Sequence, residues 1–253
     1  MGIIETTLYN GEIKLKLDTF RHHYTANGEP VPSVTTALKI IDKPALVNWA
    51  SGCAVDYVAS AINPGESYDE LQLLTIFDNA RKAHWQKKKD AGDLGSIVHK
   101  WVENYINGED PGMPVNQKLK DSVNNFLDWV KKHNVIFKVS EQQIYSKTYN
   151  YTGTLDFICE MDGKLYIGDL KTSSGIWPEY FIQTSAYRAA REEEYPEEKF
   201  AGQLIVRVGK DGEFEFAMID DYTWYRKMFV AFIAALKLSE SMEDMKNFKP
   251  GRE

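Results

Sequence analysis

The chain has 253 residues, 43% hydrophobic and 13% aromatic, enough for one sizeable α/β domain with an elaboration rather than two independent domains. Its net charge of -7 argues against broad electrostatic adhesion to DNA, and its two cysteines, Cys53 and Cys159, argue against a disulfide framework. The opening MGIIETTLYNGEIKLKL is neither a signal peptide nor a transit sequence, and no apolar run approaches a membrane span, so a soluble, cytoplasmic protein with no membrane partner is expected.

Residues 12–17 and 20–24 read as an amino-terminal hairpin. Ser33 suits the N-cap of a helix through residue 41, and Pro44 the first turn of the next, to about residue 62. Pro64-Gly65 breaks the chain before a helical stretch over about 68–89, followed by helices over 92–107 and 117–133. The pattern then turns to a strand over 141–146, a hairpin of 153–160 and 164–170, a helix over 178–194, strands over 200–208 and 212–219, and a closing helix from 221 to about 246. Apolar residues on both faces of the central hairpin predict helices on both sides of a mixed central sheet.

The hairpin register can be argued in detail. Asp162-Gly163 is a strong two-residue turn signal, which pairs Met161 with Lys164, Ile158 with Ile167 and Asp156 with Asp169. With side chains alternating faces, Lys171 joins Asp169, while Leu155, Leu170 and Phe157 point the other way. The two carboxylates would have Cβ atoms about 5 Å apart, and at an effective dielectric of about 20 their repulsion is on the order of 3 kcal/mol. A divalent cation relieves it, since hard Mg²⁺ or Mn²⁺ takes carboxylate and carbonyl oxygens. A raised pKa on one aspartate or a plain Asp169–Lys171 ion pair is the alternative.

Flanking residues add to this pattern. Gln183 and Tyr187 lie four apart on the 178–194 helix, on one face, with Arg191 a further turn along. His99 and Glu103 share a face of the 92–107 helix away from its apolar stripe. The ordered series His99, Gly153-Thr154-Leu155-Asp156, Gly168-Asp169-Leu170-Lys171-Thr172 and Gln183-x-x-x-Tyr187 resembles the RecB-like branch of the PD-(D/E)XK nuclease superfamily. It is particularly similar to the phage and mitochondrial genome-maintenance exonucleases of that branch, over about residues 94–190. Val31 to Ala50 also resembles the amino-terminal region of phage members.

The resemblance implies a restriction-endonuclease-like α/β core over 91–253, with residues 1–90 as a hairpin and a mostly helical elaboration shaping substrate access. It implies metal ligation by His99, Asp156, Asp169 and the backbone carbonyl of Leu170, and catalytic roles for Asp156, Asp169, Lys171, Gln183 and Tyr187. Mg²⁺ or Mn²⁺ is the implied cofactor. Relatives with an iron–sulfur cluster carry four cysteines, so the two here imply no such cluster. Glu103 and Glu141 are candidates for a second cation, although each reads first as a solvated surface glutamate. The implied function is DNA exonuclease in a phage or prophage, acting in the bacterial cytoplasm in recombination, end processing or repair. The resemblance alone suggests a phage single-strand annealing protein as partner. A structure-specific endonuclease shares every site residue, and a non-catalytic nucleic-acid- or protein-binding member of the fold is the other alternative.

Two further features bear on DNA. The run Arg81 to Lys89 carries five cations around Trp85 and reads either as a DNA path or as a solvated helix face. Lys118, Lys120, Lys131 and Lys132 invite the same two readings. Trp177 offers a stacking surface for a base, with packing beneath the following helix the stronger expectation.

Overall fold

Short apolar strands separated by Asn, Asp and Gly reversals dominate the first forty residues, and the structure, a computed structural model describing residues 2–246, folds them into an antiparallel sheet. Strands β1 (Ile3–Leu8), β2 (Ile13–Asp18), β3 (His23–Ala26) and β4 (Glu29–Val31) lie in that order. The expected hairpin is present as β2 and β3. The last reversal, before β4, is made by Asn27-Gly28, both residues being at positive φ. Ser33 accepts the Thr36 N–H and caps α1 (Val34–Ala37), which passes early into a 3-10 turn at Leu38–Ile40.

Two compact units divide the described residues: Asp42–Ile97, and 2–41 together with 98–246. This differs from a single cut at residue 90. The β1–β4 strands belong with the later chain because Leu15, Leu17, Tyr24 and Val31 share a buried cluster with Tyr145. The 42–97 unit consists of α2 (Pro44–Ala61) and α3 (Glu70–Ile106) as far as Ile97. Two helices were expected where α3 is one. A glycine such as Gly92 costs only about 1 kcal/mol in a helix interior, and no proline stands there to end it.

The larger unit continues with α4 (Gln117–Lys132), whose first turn is capped by the Asn116 side chain. Strands β5 (Ile136–Ser146), β6 (Tyr151–Met161) and β7 (Lys164–Lys171) follow as an antiparallel meander. Helix α5 (Pro178–Glu194) then crosses over to β8 (Phe200–Val208), parallel to β7, and β9 (Phe214–Ile219) and α6 (Tyr222–Met245) complete the unit. The result is a mixed α/β fold with a five-stranded sheet, β5-β6-β7-β8-β9, flanked by helices. Asp162 and Gly163 are both left-handed, and Met161 pairs with Lys164 and Ile158 with Ile167, as a two-residue turn demands.

Each face of this sheet has its own core. Leu155, Ile158, Ile167, Ala186, Phe229 and Phe232 are buried together among β6, β7, α5 and α6. An aromatic cluster of Trp101, Tyr105, Phe126, Trp129, Phe137, Phe157 and Phe214 joins the end of α3 and α4 to the sheet. Strict alternation on β6 therefore fails. Leu155 enters the first core, whereas Phe157, expected on the same face, stacks edge-on with Phe137 in the second. The break falls at Asp156.

Gly168 makes the packing at this point possible. Phe157 sits directly opposite it, and a Cβ added there would lie 2.0 Å from the phenyl ring, which is itself only 1% exposed and cannot retreat. Overpacking of this kind costs about 1–3 kcal/mol or more. Gly168→Ala is therefore expected to lower denaturant stability by that order, whereas Gly52→Ala in the open interior of α2, where nothing lies within 4 Å, is expected to be neutral or stabilising by up to about 1 kcal/mol. Equal effects in urea unfolding would contradict the role assigned to Gly168.

Candidate functional site

The β6–β7 ladder ends at Phe157 and Gly168, one step short of the two aspartates. Continuing the register sets Asp156 opposite Asp169. On the other side, Ser140 pairs with Phe157 and Gln142 with Leu155, so Glu141 stands opposite Asp156. Three carboxylates thus form one row across β5, β6 and β7. Glu141 adopts φ +49° inside its strand, a left-handed conformation that non-glycine residues adopt at a cost. Beyond the last ladder pair, Asp156 Oδ2 accepts the Leu170 N–H at 2.7 Å, so a carboxylate takes the place of a strand carbonyl where the sheet parts.

Lys171 reaches into the row from β7. Its Nζ lies 2.5 Å from Asp169 Oδ2 and donates to Gln183 Oε1 at 3.2 Å. Gln183 in turn donates from Nε2 to Asp169 Oδ1 at 3.1 Å and to the Tyr187 hydroxyl at 2.9 Å. One helical face of α5 therefore meets the aspartate–lysine pair. The Asp169–Lys171 contact is an ion pair whose angle leaves Oδ2 without an aligned hydrogen bond. The ion pair, one alternative to a cation, is thus present.

Electrostatics follow from this crowding. Asp169 is fully buried, and desolvation, reinforced by Asp156, holds its carboxyl above the ordinary range despite Lys171. Desolvation also raises Asp156, opposed by Lys171 and the Leu170 N–H. Glu141 is pushed up to about 8 by desolvation and then by Asp156, Glu103 and Asp169. Solvent reaches Glu141, which weakens the first cause, so the neighbouring charges are the firmer reason. Burial pulls Lys171 down, but the Asp169 and Asp156 charges outweigh it and hold the ammonium above the usual lysine range. Burial also lowers His99, keeping its imidazole in the neutral form that can donate a lone pair.

His99 and Glu103, one turn apart on α3, border a void of about 10 Å³ together with Glu141, Asp156 and Leu170. That is room for roughly one water-sized body. The chemistry of this donor set, one imidazole with carboxylates and carbonyls, fits a hard divalent cation, and Asp169 Oδ2 is a buried acceptor that has the Lys171 charge beside it but no aligned hydrogen bond. Among the described residues, however, no three His, Cys, Asp or Glu side chains are gathered as a ready ligand set. Binding a cation would require these side chains to turn inward.

Other expected residues lie elsewhere or serve packing. Arg191 is buried and pairs with Glu198 while donating to Gln142. Trp177 is 47% exposed before α5 rather than beneath it. Arg81 and Lys82 pair with Asp78, and Lys87 with Asp56 at 3.5 Å; Lys82, Lys87 and Asp56 line a groove of about 810 Å³ within the 42–97 unit. That groove is larger than the void at the carboxylate row, but it gathers no comparable set of acids. Lys118, Lys120, Lys131 and Lys132 remain exposed on α4.

Sequence reasoning missed two tyrosines. Tyr180 presents its ring 4.8 Å from Lys171 Nζ, and its place three residues before Gln183 was a signal that the spacing carried. Tyr24 of β3 meets Thr154 Oγ1 at 3.1 Å, and no local pattern announced that long-range contact. Gly153 in the first motif block is explained by Tyr187, whose ring would lie 2.8 Å from a Cβ there.

No family model matches the chain, and a search of curated proteins gives no match. Among solved structures it is similar to a provisionally assigned exonuclease of Eubacterium rectale, at 12% identity over 63% of this chain and 70% of that one, with a TM-score of 0.42. It is also similar to the protein SSO0001, at 14% identity over 48% of this chain and 57% of that one, with a TM-score of 0.30. No helix among the described residues is long and apolar enough to cross a membrane.

Asp156 has a structural duty separable from its charge. Asp156→Ala leaves the Leu170 N–H without its acceptor and is expected to cost about 1–3 kcal/mol. Asp156→Asn keeps an oxygen in place and removes one charge from the row, so in EDTA it is expected to melt at or above the wild-type temperature. Thermal unfolding of the pair checks this, and equal destabilisation by both would contradict it.

Proposed function

We propose that this chain is a divalent-metal-dependent deoxyribonuclease that hydrolyses DNA phosphodiester bonds from an end, in the manner of the RecB-like exonucleases its motifs resemble. The observation that supports this reading most is the row Glu141, Asp156 and Asp169, with Lys171 against it and His99 on the same void. Gathering like charges around the fully buried Asp169 is costly, and the positions concerned are those where a cation and a phosphate would relieve the cost.

In this reading His99, Asp156, Asp169 and the Leu170 carbonyl hold Mg²⁺ or Mn²⁺, with Glu103 and Glu141 as further donors. The cation, when bound, supplies a more acidic water and positive charge beside the phosphate oxygens. The remaining work belongs to the protein. The Leu170 N–H fixes one face of Asp156. Lys171 offers a compact charge to the phosphate and hydrogen-bonds the attacking water. Gln183 links Lys171, Asp169 and Tyr187, keeping the lysine aimed while the carboxylate is engaged elsewhere. A phage or prophage setting, with work in recombination, end processing or repair and an annealing protein as partner, belongs to the same proposal.

Purified protein with Mg²⁺ or Mn²⁺ is expected to degrade linear DNA and spare closed circles, with activity lost in EDTA. Asp169→Ala and Lys171→Ala are each expected to reduce the rate by at least about 10²-fold while remaining folded by circular dichroism. Full activity in either folded variant removes the assignment, and loss of circles turns it to an endonuclease.

A further inference from the structure

Lys171 depends on a partner that the proposed cation would take away. Its shortest contact is Asp169 Oδ2 at 2.5 Å, and that oxygen is the one left without an aligned donor. A lysine carries a single charge on a flexible four-carbon stem, so once that carboxylate is shared it needs other contacts to keep its direction. Gln183 Oε1 supplies one. The other is the ring of Tyr180, whose centroid lies 4.8 Å from Nζ.

Tyr180 is well placed to be rigid. Its N–H donates to the Trp177 carbonyl at 3.0 Å, its own carbonyl accepts the Thr184 hydroxyl at 3.1 Å, and Pro178 sets the first turn of α5 around it. Tyr180, Gln183 and Tyr187 follow one another at spacings of three and four, so a single stripe of α5 faces the lysine. An aromatic face attracts an ammonium ion without offering an oxygen to a cation, and the attraction strengthens when water is excluded. Lys171 has only 18% of its side chain exposed.

We propose that Tyr180 is a positioning residue, its ring face holding the Lys171 ammonium in line with the carboxylate row independently of Asp169. The inference rests on the phosphodiesterase reading for its consequence in catalysis, but the contact itself does not. The face of the ring matters and the hydroxyl does not, so phenylalanine should serve as well as tyrosine.

The test compares wild type with Tyr180→Phe, Tyr180→Leu and Tyr180→Met, the two ringless variants guarding against misfolding of either one. In metal-free protein, the Lys171 ε-CH₂ NMR signal, assigned by its loss in Lys171→Arg, is expected upfield in wild type and Tyr180→Phe. In the ringless variants it should return to the ordinary lysine position. With Mg²⁺ and linear DNA, the ringless variants are expected to lose about tenfold in kcat with KM little changed, and Tyr180→Phe to restore it. An unmoved Lys171 signal, or full kcat in a folded ringless variant, overturns the proposal. If wild type cleaves no DNA the phosphodiesterase reading fails, and the NMR comparison still decides whether Tyr180 holds Lys171.

Discussion

Mutual repulsion among three clustered carboxylates, one of them fully buried, is the constraint around which the larger unit is arranged. Glu141, Asp156 and Asp169 meet across three neighbouring strands, and the charges are tolerated because each has a specific answer. Asp169 has Lys171 and Gln183, Asp156 has the Leu170 N–H, and Glu141 has access to solvent. An ordinary core would place apolar side chains at such positions, as Ile158 and Ile167 do two pairs further along the same two strands. The sheet instead parts at the acids, alternation on β6 breaks there, and Glu141 adopts a left-handed backbone. The sheet has register shifts elsewhere, at Phe137/Val139 and Leu165/Tyr166, but the left-handed strand residue and the lost ladder pair coincide at the acids.

The surrounding packing keeps the arrangement in register. Phe157 leans over Gly168 on one face, and Tyr187 lies over Gly153 on the other. Two of the glycines in the motif blocks are therefore places where aromatic rings need the volume of a Cβ. Arg207, on β8 beside Lys171, donates to the Ser173 carbonyl and so fastens the loop that leaves β7. Position of the lysine is thus determined from the helix above it and from the strand beside it.

Much of this was readable from local chemistry. Asp162-Gly163 dictates the turn and the turn the register as far as Phe157 and Gly168, and continuing that register one step beyond the last formed pair sets Asp156 opposite Asp169. The bounds of α5 and β8 followed from Pro178 and from apolar periodicity. What was hidden depends on partners distant in sequence. The extra strands β1 and β4 pair in a sheet whose apolar face is covered by Tyr145, more than a hundred residues later. The continuity of α3 reflects a glycine too weak to stop a helix, and the reversal of Phe157 reflects a distortion opposite Glu141 that no alternation rule contains. Glu103 and Glu141 were anonymous glutamates until α3 and β5 brought them to one void.

Connectivity has a consequence for how the molecule comes to be. The three strands that carry the acids are consecutive, joined by short reversals, whereas Gln183 and Tyr187 arrive only after α5 has crossed to let β8 pair in parallel with β7. Nearby segments close quickly and cheaply, while a crossover must wait for a larger loop to be ordered. The meander already holds Lys171 beside its acids, and α5 adds the apolar layer and the neutral hydrogen-bonding groups of Gln183 and Tyr187. The charge balance of the site is thus contained within one hairpin, and the crossover helix that follows supplies the hydrogen bonds that hold it in place.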